Sequence, residues 1–353
     1  MTKQEKRAIR KLGQVAEKAN SMQFSSALVT SLSAANSAAS DALLFDSAFL
    51  SKLEQLYLLS RKIFRGQQRA ERKSKQLGSS LEFADYRNYV AGDDLRAIDW
   101  NIYGRLDRLF VKLFEEEQDL PVYFLVDASA SMRWTPRADQ DQKNAPTKFD
   151  QARRVAASLA YIALANLDRV NVFYFSATLG SDAGMSRGKS QFHKLLEFLR
   201  RAPFSEKNGD KSDSAATQQT QLLPSLRAFA QRAKRRGLVF ILSDFFDPAG
   251  YDEALRLLRF HQFETHVIQV LDPAEREPLL RGDLRLLDAE TNAPLEVTAN
   301  DSLLRRYHDE IGAFLNGLEN FCVRHQIGYV QAASDVAFED LVLRVLRGGA
   351  ILR

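Results

Sequence analysis

The stretch VYFLVDASASMRW, residues 122–134, decides the fold. Val122–Val126 run without a polar break and then stop at Asp127, with Ser129 and Ser131 following at alternate positions. An apolar run that does not alternate is the pattern of a strand covered on both faces, as in a parallel sheet between helices. A second stretch has the same form: Leu238–Leu242 is continuously apolar and ends in Ser243-Asp244.

Around these two runs the chain alternates strand and helix. KFDQARRVAASLAYIALANL offers Phe149, Val155, Leu159, Ile162 and Leu167 to a buried helical stripe. RVNVFYFSA reads as a strand, and SQFHKLLEFLRR and PSLRAFAQRAKRR as helices, the second opened by Pro224. YDEALRLLRFHQF is a helix and THVIQVLD a strand. LRLLDAETNAPLEVTA reads as a hairpin, followed by a long helix with Asp301 or Ser302 as its cap, the strand IGYVQA and a last helix. The expected class is α/β: a doubly wound, mostly parallel sheet with helices on both faces, preceded by an N-terminal α/β extension.

Three segments are expected. Residues 1–42 are basic, then rich in Ser and Ala, with few bulky side chains to bury, and read as an appendage. Residues 43–119 hold a helix with Phe49, Leu53, Leu56 and Leu59 on one face, then a small β element ending in RLFVKLF. Residues 120–353 form the α/β domain.

Composition sets the class. Of 353 residues, 45% are hydrophobic and 27% charged, as in a folded globular protein. The single cysteine, Cys322, excludes an internal disulfide framework and a cysteine-based zinc site. The start MTKQEKRAIRKLGQ lacks the apolar core of a signal peptide, and no stretch has the ~18 apolar residues of a membrane span. The expectation is a soluble cytoplasmic protein. A net charge of +4 gives no global argument for nucleic acid.

In an open parallel sheet, ligands bind outside the carboxyl ends of the strands, at the point where the strand order reverses. Asp127 and Asp244 both emerge on that rim, and Ser129 and Ser131 add two hydroxyls. Oxygen donors of this kind suit a hard cation, Mg²⁺ first, with Mn²⁺ or Ca²⁺ as alternatives. The plainer reading is that Asp127 and the serines cap the next turn.

D-A-S-A-S after a buried strand, with a later strand ending in Asp, resembles the metal-ion-dependent adhesion site of von Willebrand factor A domains. The resemblance implies that Ser129 and Ser131 ligate an ion, with Asp127 and Asp244 as the acids and a threonine from a second loop. Thr220 fits that loop, with Thr217 as the second choice. Asp244 is followed by Phe245 rather than the glycine common in that family. The stretch LEFADYRNYVAGDDLRAIDW, residues 81–100, ahead of D-x-S-x-S, is similar to the bacterial domain-of-unknown-function family fifty-eight, over an extent from about Phe49 to the C-terminus. That resemblance implies an adaptor or chaperone-like partner of a MoxR-type AAA+ ATPase, whose acidic side chain would complete the metal site.

Other classes are weighed against this one. A haloacid-dehalogenase-type phosphohydrolase also places Asp at the end of a first strand, but needs a second acid where Ser129 stands. None of the five histidines lies in either strand-end motif, and no G-x-x-x-x-G-K-[ST] loop occurs, so neither catalysis nor nucleotide binding is expected. The basic run RKIFRGQQRAERKSK, residues 61–75, lacks aromatics for base stacking, which favours a solvated or protein-docking face over nucleic acid. Asp93, Asp94 and Arg96 are candidates for partner contact, whereas Ile98 and Trp100 are expected in a core.

Overall fold

In the computed structural model, described for residues 44–67, 77–115, 121–133, 146–201, 221–278, 280–289 and 294–347, the run at 122 becomes β3 (Pro121–Asp127), buried at every residue. It pairs in parallel with β4 (Arg169–Phe175) on one side and β7 (Leu238–Ser243) on the other. Beyond β7 lie β8 (Glu264–Leu271) and β11 (Gly328–Ala333), both parallel. The five parallel strands therefore stand in the doubly wound order 2-1-3-4-5, and the order reverses between β3 and β7. Gly328 lets β11 close onto β8, because a Cβ there would lie 2.0 Å from Nδ1 of His266.

Helices cover both faces. Tyr123, Leu125, Phe173, Phe175, Val239 and Ile241 point into a core shared with α5 (Leu222–Arg232), α6 (Asp252–Phe260) and α8 (Asp301–Arg324). The alternate residues meet α3 (Lys148–Ala165) and α4 (Phe192–Arg200), where Tyr174 packs against Phe149 and Phe198. α9 (Phe338–Arg347) and the first helix, α1 (Ser47–Gln67), join that layer through Phe49 and Phe338, whose rings are 4.8 Å apart. Glu54 of α1 accepts from Tyr161 and Lys189, both at 2.6 Å. Residues 44–60 thus belong to the α/β unit, so the segment expected at 43–119 is divided.

Several local readings change. Leu59 is exposed and the buried stripe of α1 continues through Ser60, since a face at 49, 53 and 56 recurs at 60. Leu167 lies beyond the end of α3, exposed and at φ 67°. α5 begins at Leu222, so Pro224 lies within its first turn instead of opening it. Asn300 caps α8, accepting from Leu303 N at 2.9 Å, in place of Asp301 or Ser302. Two short antiparallel edge strands, β5 (Leu179–Asp182) and β6 (Ser186–Arg187), flank β4 and carry no apolar alternation. The hairpin β9 (Gly282–Leu287) with β10 (Pro294–Ala299) packs Leu286 against Tyr307 of α8. The appendage expected at 1–42 lies outside the described residues.

Residues 61–119 make a second unit around the antiparallel pair β1 (Leu77–Asn88) and β2 (Phe110–Glu115). The connection holds a 3₁₀ turn, Leu95–Ala97, and the helix α2 (Trp100–Leu106). Asp99 caps α2 by accepting from Asn101 N, and its other oxygen takes Tyr86 and Lys112, both at 3.1 Å. Ile98 is buried as expected, but Trp100 is 62% exposed, set edge-on to Tyr103. The capped turn is held by Asp99 and Ile98 and has no need of the indole.

Candidate metal centre at the carboxyl edge of the sheet

Because Val126 of β3 is in register with Leu242 of β7, the next residues, Asp127 and Ser243, leave the sheet side by side. Ser243 Oγ donates to Asp127 Oδ2 at 2.6 Å, while Asp127 Oδ1 accepts from Ser129 N at 2.9 Å. That second bond curls the loop, and it brings Ser129 Oγ to 2.9 Å from Ser131 Oγ. Asp244 follows at once on β7, its Oδ1 accepting from Phe246 N at 3.1 Å. Asp127, Ser129, Ser131 and Asp244 are all essentially inaccessible to solvent.

The fold therefore gathers four of the residues singled out in the sequence. Thr220 and Thr217 lie outside the described residues. The chain resumes at Gln221, whose N–H is held by the carbonyl of Ser176 just beyond β4. Asp93, Asp94 and Arg96 belong to the second unit. There Asp93 pairs with Arg87 at 2.8 Å and Asp94 caps the 3₁₀ turn, so both are engaged locally, while Arg96 is exposed.

Sequence reasoning missed two residues that face this centre. Lys148, the first residue of α3, is wholly buried, and its Nζ lies 2.7 Å from Asp244 Oδ2 and 2.6 Å from Glu275 Oε1. Glu275 belongs to α7 (Pro273–Arg276) and also closes a capping box, its Oε2 accepting from Asp272 N at 2.9 Å. A signal for Lys148 existed. A lysine in the first turn opposes the helix dipole, which disfavours a cation there unless acids lie close by.

Electrostatics follow from burial. Asp127 is pushed up to about 7, first by burial and then by the negative charge of Asp244. Burial likewise raises Glu275 to about 7, against the pull of Lys148. Burial alone would lower Lys148, but Asp244 and Glu275 outweigh it and hold the ammonium above its ordinary value. Among the described residues, full ionisation would set three carboxylates against one ammonium, and burial opposes that ionisation at Asp127 and Glu275.

These residues fit a hard divalent ion. Two oxygens on adjacent corners of a Mg²⁺ octahedron, each about 2.1 Å from the ion, stand about 3 Å apart, and the serine hydroxyls stand 2.9 Å apart. The same serine spacing serves a hydroxyl–hydroxyl hydrogen bond. Among the described residues no three His, Cys, Asp or Glu side chains gather around one point, so an ion would depend on the hydroxyls.

Comparison with known proteins places the chain in a family. The model of the family described as Protein of unknown function DUF58 matches residues 85–313, a narrower span than Phe49 to the C-terminus. An uncharacterised protein of Mycobacterium tuberculosis is 26% identical over 231 residues, 64% of this chain and 66% of the relative. The match thus spans just under two thirds of that relative's length. An uncharacterised protein of Mycobacterium avium is 34% identical over 82 residues, 23% of this chain and 48% of the relative. Among solved structures, a conserved hypothetical protein BatB from Bacteroides thetaiotaomicron aligns with a TM-score of 0.37 at 14% identity, covering 65% of this chain and 98% of that one. An aerotolerance-related membrane protein from Bacteroides fragilis gives a TM-score of 0.37 at 13% identity, covering 65% of this chain and 99% of that one. In the present chain, no helix among the described residues is long and apolar enough to cross a membrane. With a family model covering 229 of its 353 residues, the chain belongs to the family described as Protein of unknown function DUF58.

Proposed function

We propose that this protein is a non-catalytic, divalent-metal-dependent interaction module with a von Willebrand factor A-like α/β domain, acting as an adaptor of a MoxR-type AAA+ ATPase. The observation that carries the reading is the pair of serine hydroxyls at 2.9 Å beside Asp127 and Asp244, at the point where the strand order reverses. Asp127, Ser129, Ser131 and Asp244 would hold Mg²⁺, with Thr220 or Thr217 as the threonine candidate. The bound ion would supply an open coordination position for a carboxylate of the partner. Asp127 orients the loop through Ser129 N, and Ser243 fixes Asp127 in turn. Lys148 holds Asp244 in place from the side of α3. All four side chains are buried, so a partner's carboxylate would reach the ion only if the rim opened.

Binding, not turnover, is the role these groups suit. Ser129 stands where a phosphohydrolase of the alternative class needs its general acid. The test is retention of purified MoxR-type ATPase on the immobilised protein in Mg²⁺ and in EDTA, with Asp127→Ala beside the wild type. Retention by the wild type in Mg²⁺ alone supports the reading; equal retention in all four conditions overturns the metal-dependent part. No retention in any condition overturns the choice of partner.

A further inference from the structure

The metal-centred reading uses Lys148 only to hold Asp244, yet the lysine stands between two acids of different kinds. Its buried ammonium lies 2.7 Å from Asp244 Oδ2 and 2.6 Å from Glu275 Oε1, with the ring of Phe246 at 5.6 Å. Asp244 belongs to the proposed ligand set. Glu275 does not. It is anchored in α7, where its Oε2 accepts from Asp272 N at 2.9 Å and its carbonyl accepts from Tyr307 of α8. Asp272 is fixed in turn by Ser334 Oγ at 2.7 Å. The stem of the lysine is fixed as well, because Lys148 opens α3 directly after its cap. There Thr147 Oγ1 accepts from Asp150 N at 3.1 Å, and Asp150 accepts from Thr147 N at 3.0 Å.

Any ion at Asp244 meets this ammonium. Oδ1 of Asp244 accepts from Phe246 N at 3.1 Å and Oδ2 from Lys148. The remaining lone pairs can still face an ion. The ion then has a like charge one hydrogen bond from its own ligand, in a buried site where charges are weakly screened. Asp244 has to divide its charge between two cations. Glu275 keeps the ion from being excluded outright. An ammonium with Asp244 as its sole partner would be stranded in the interior once the ion took that carboxylate, and a stranded buried charge is costly. With Glu275 anchored beside it, Lys148 keeps a partner of its own.

We propose that Lys148 sets the strength of ion binding: its ammonium competes with the divalent ion for Asp244, and Glu275 is the counter-charge that lets it yield. Lys148 answers the charge of Asp244 when no ion is bound, so the ion enters as an exchangeable ligand and not as a permanent part of the fold. The inference rests on the metal-centre reading and adds to it the residue that regulates occupancy.

The test is a titration of the full chain with Mn²⁺, the free ion being counted by its paramagnetic resonance signal. Binding is assigned to the centre when Ser129→Ala/Ser131→Ala removes it. Lys148→Met keeps the stem and drops the charge, and is expected to bind Mn²⁺ about tenfold or more tightly than the wild type. Glu275→Gln leaves the ammonium to Asp244 alone, and is expected to bind about tenfold or more weakly. A lysine that only held the centre together would give weaker binding in both variants. If Lys148→Met fails to fold, Lys148→Met/Glu275→Gln is compared with Glu275→Gln, a pair that differs only in the ammonium, and the same tightening is expected. Wild-type binding that is unchanged or weakened on loss of the ammonium overturns the competition and leaves the metal reading standing. Unchanged binding in Glu275→Gln overturns the part given to that acid. No Mn²⁺ at the centre in the wild type or any variant overturns the metal reading and the competition with it.

Discussion

Ser243 donates a hydrogen bond from its hydroxyl to Asp127 Oδ2 at 2.6 Å and so ties the end of β7 to the end of β3 at the point where the strand order reverses. Neighbouring strands in register deliver the two groups together, and the hydroxyl compensates one oxygen of a carboxylate that has lost its water. The remaining charge of the centre is shared among Asp244, Glu275 and the ammonium between them.

Mg²⁺ is expected to stabilise the wild type. At a hundredfold excess over its dissociation constant an ion adds about 2.7 kcal/mol, which for a domain of this size is about 5–10 °C in thermal midpoint. Ser129→Ala/Ser131→Ala removes both hydroxyl donors and should lose the shift. Scanning calorimetry with and without Mg²⁺ checks it, and a shift kept by the double variant would rule out the hydroxyls as ligands.

Lys148→Met leaves Asp244 and Glu275 buried without their cation. Removing one partner of a buried ion pair costs about 3–5 kcal/mol, and the loss should be partly restored in Lys148→Met/Glu275→Gln, which removes one of the stranded charges. A double-mutant cycle by urea unfolding measures the coupling; strict additivity would mean that the contact carries no energy.

Asp127 sets a pH dependence with a definite sign. Its carboxyl stands near 4 unfolded and at about 7 in the fold. An acid raised by folding holds its proton more firmly when folded. Its contribution is therefore complete below the unfolded value and is lost as the pH rises through the folded one. In EDTA, the wild type should lose stability relative to Asp127→Asn as the pH rises from about 5 to about 8. Thermal midpoints across that range give the difference, and a difference that grows in the opposite direction contradicts the assignment.

Trp100 and Ile98 separate surface from core in the small unit. Trp100→Ala, at an exposed site, should change stability by no more than about 0.5 kcal/mol, whereas Ile98→Ala should cost about 2–5 kcal/mol. Unfolding followed by amide exchange in β1 and β2 reads both, and a large cost for the tryptophan would mean that its indole is covered in solution.

Much of this was legible from local chemistry. Continuous apolar runs ending in acid made β3 and β7 buried parallel strands and put Asp127 and Asp244 at their carboxyl ends, because period and burial are written in consecutive residues. The spacing of Asp127, Ser129 and Ser131 placed acid and hydroxyls on one loop for the same reason. Edge strands β5 and β6 were not legible, since two to four half-exposed residues carry no pattern. Trp100 was misjudged because an aromatic near charged residues reads alike in a core and on a surface. Lys148 and Glu275 are 127 positions apart, and no local rule joins them. Only the parallel crossovers bring the start of α3 and the helix after β8 to the same rim. The sequence by itself determined which strands are buried and which oxygens leave their ends. The tertiary structure decided which cation stands beside them, because a buried charge is assigned its partner by packing and not by position along the chain.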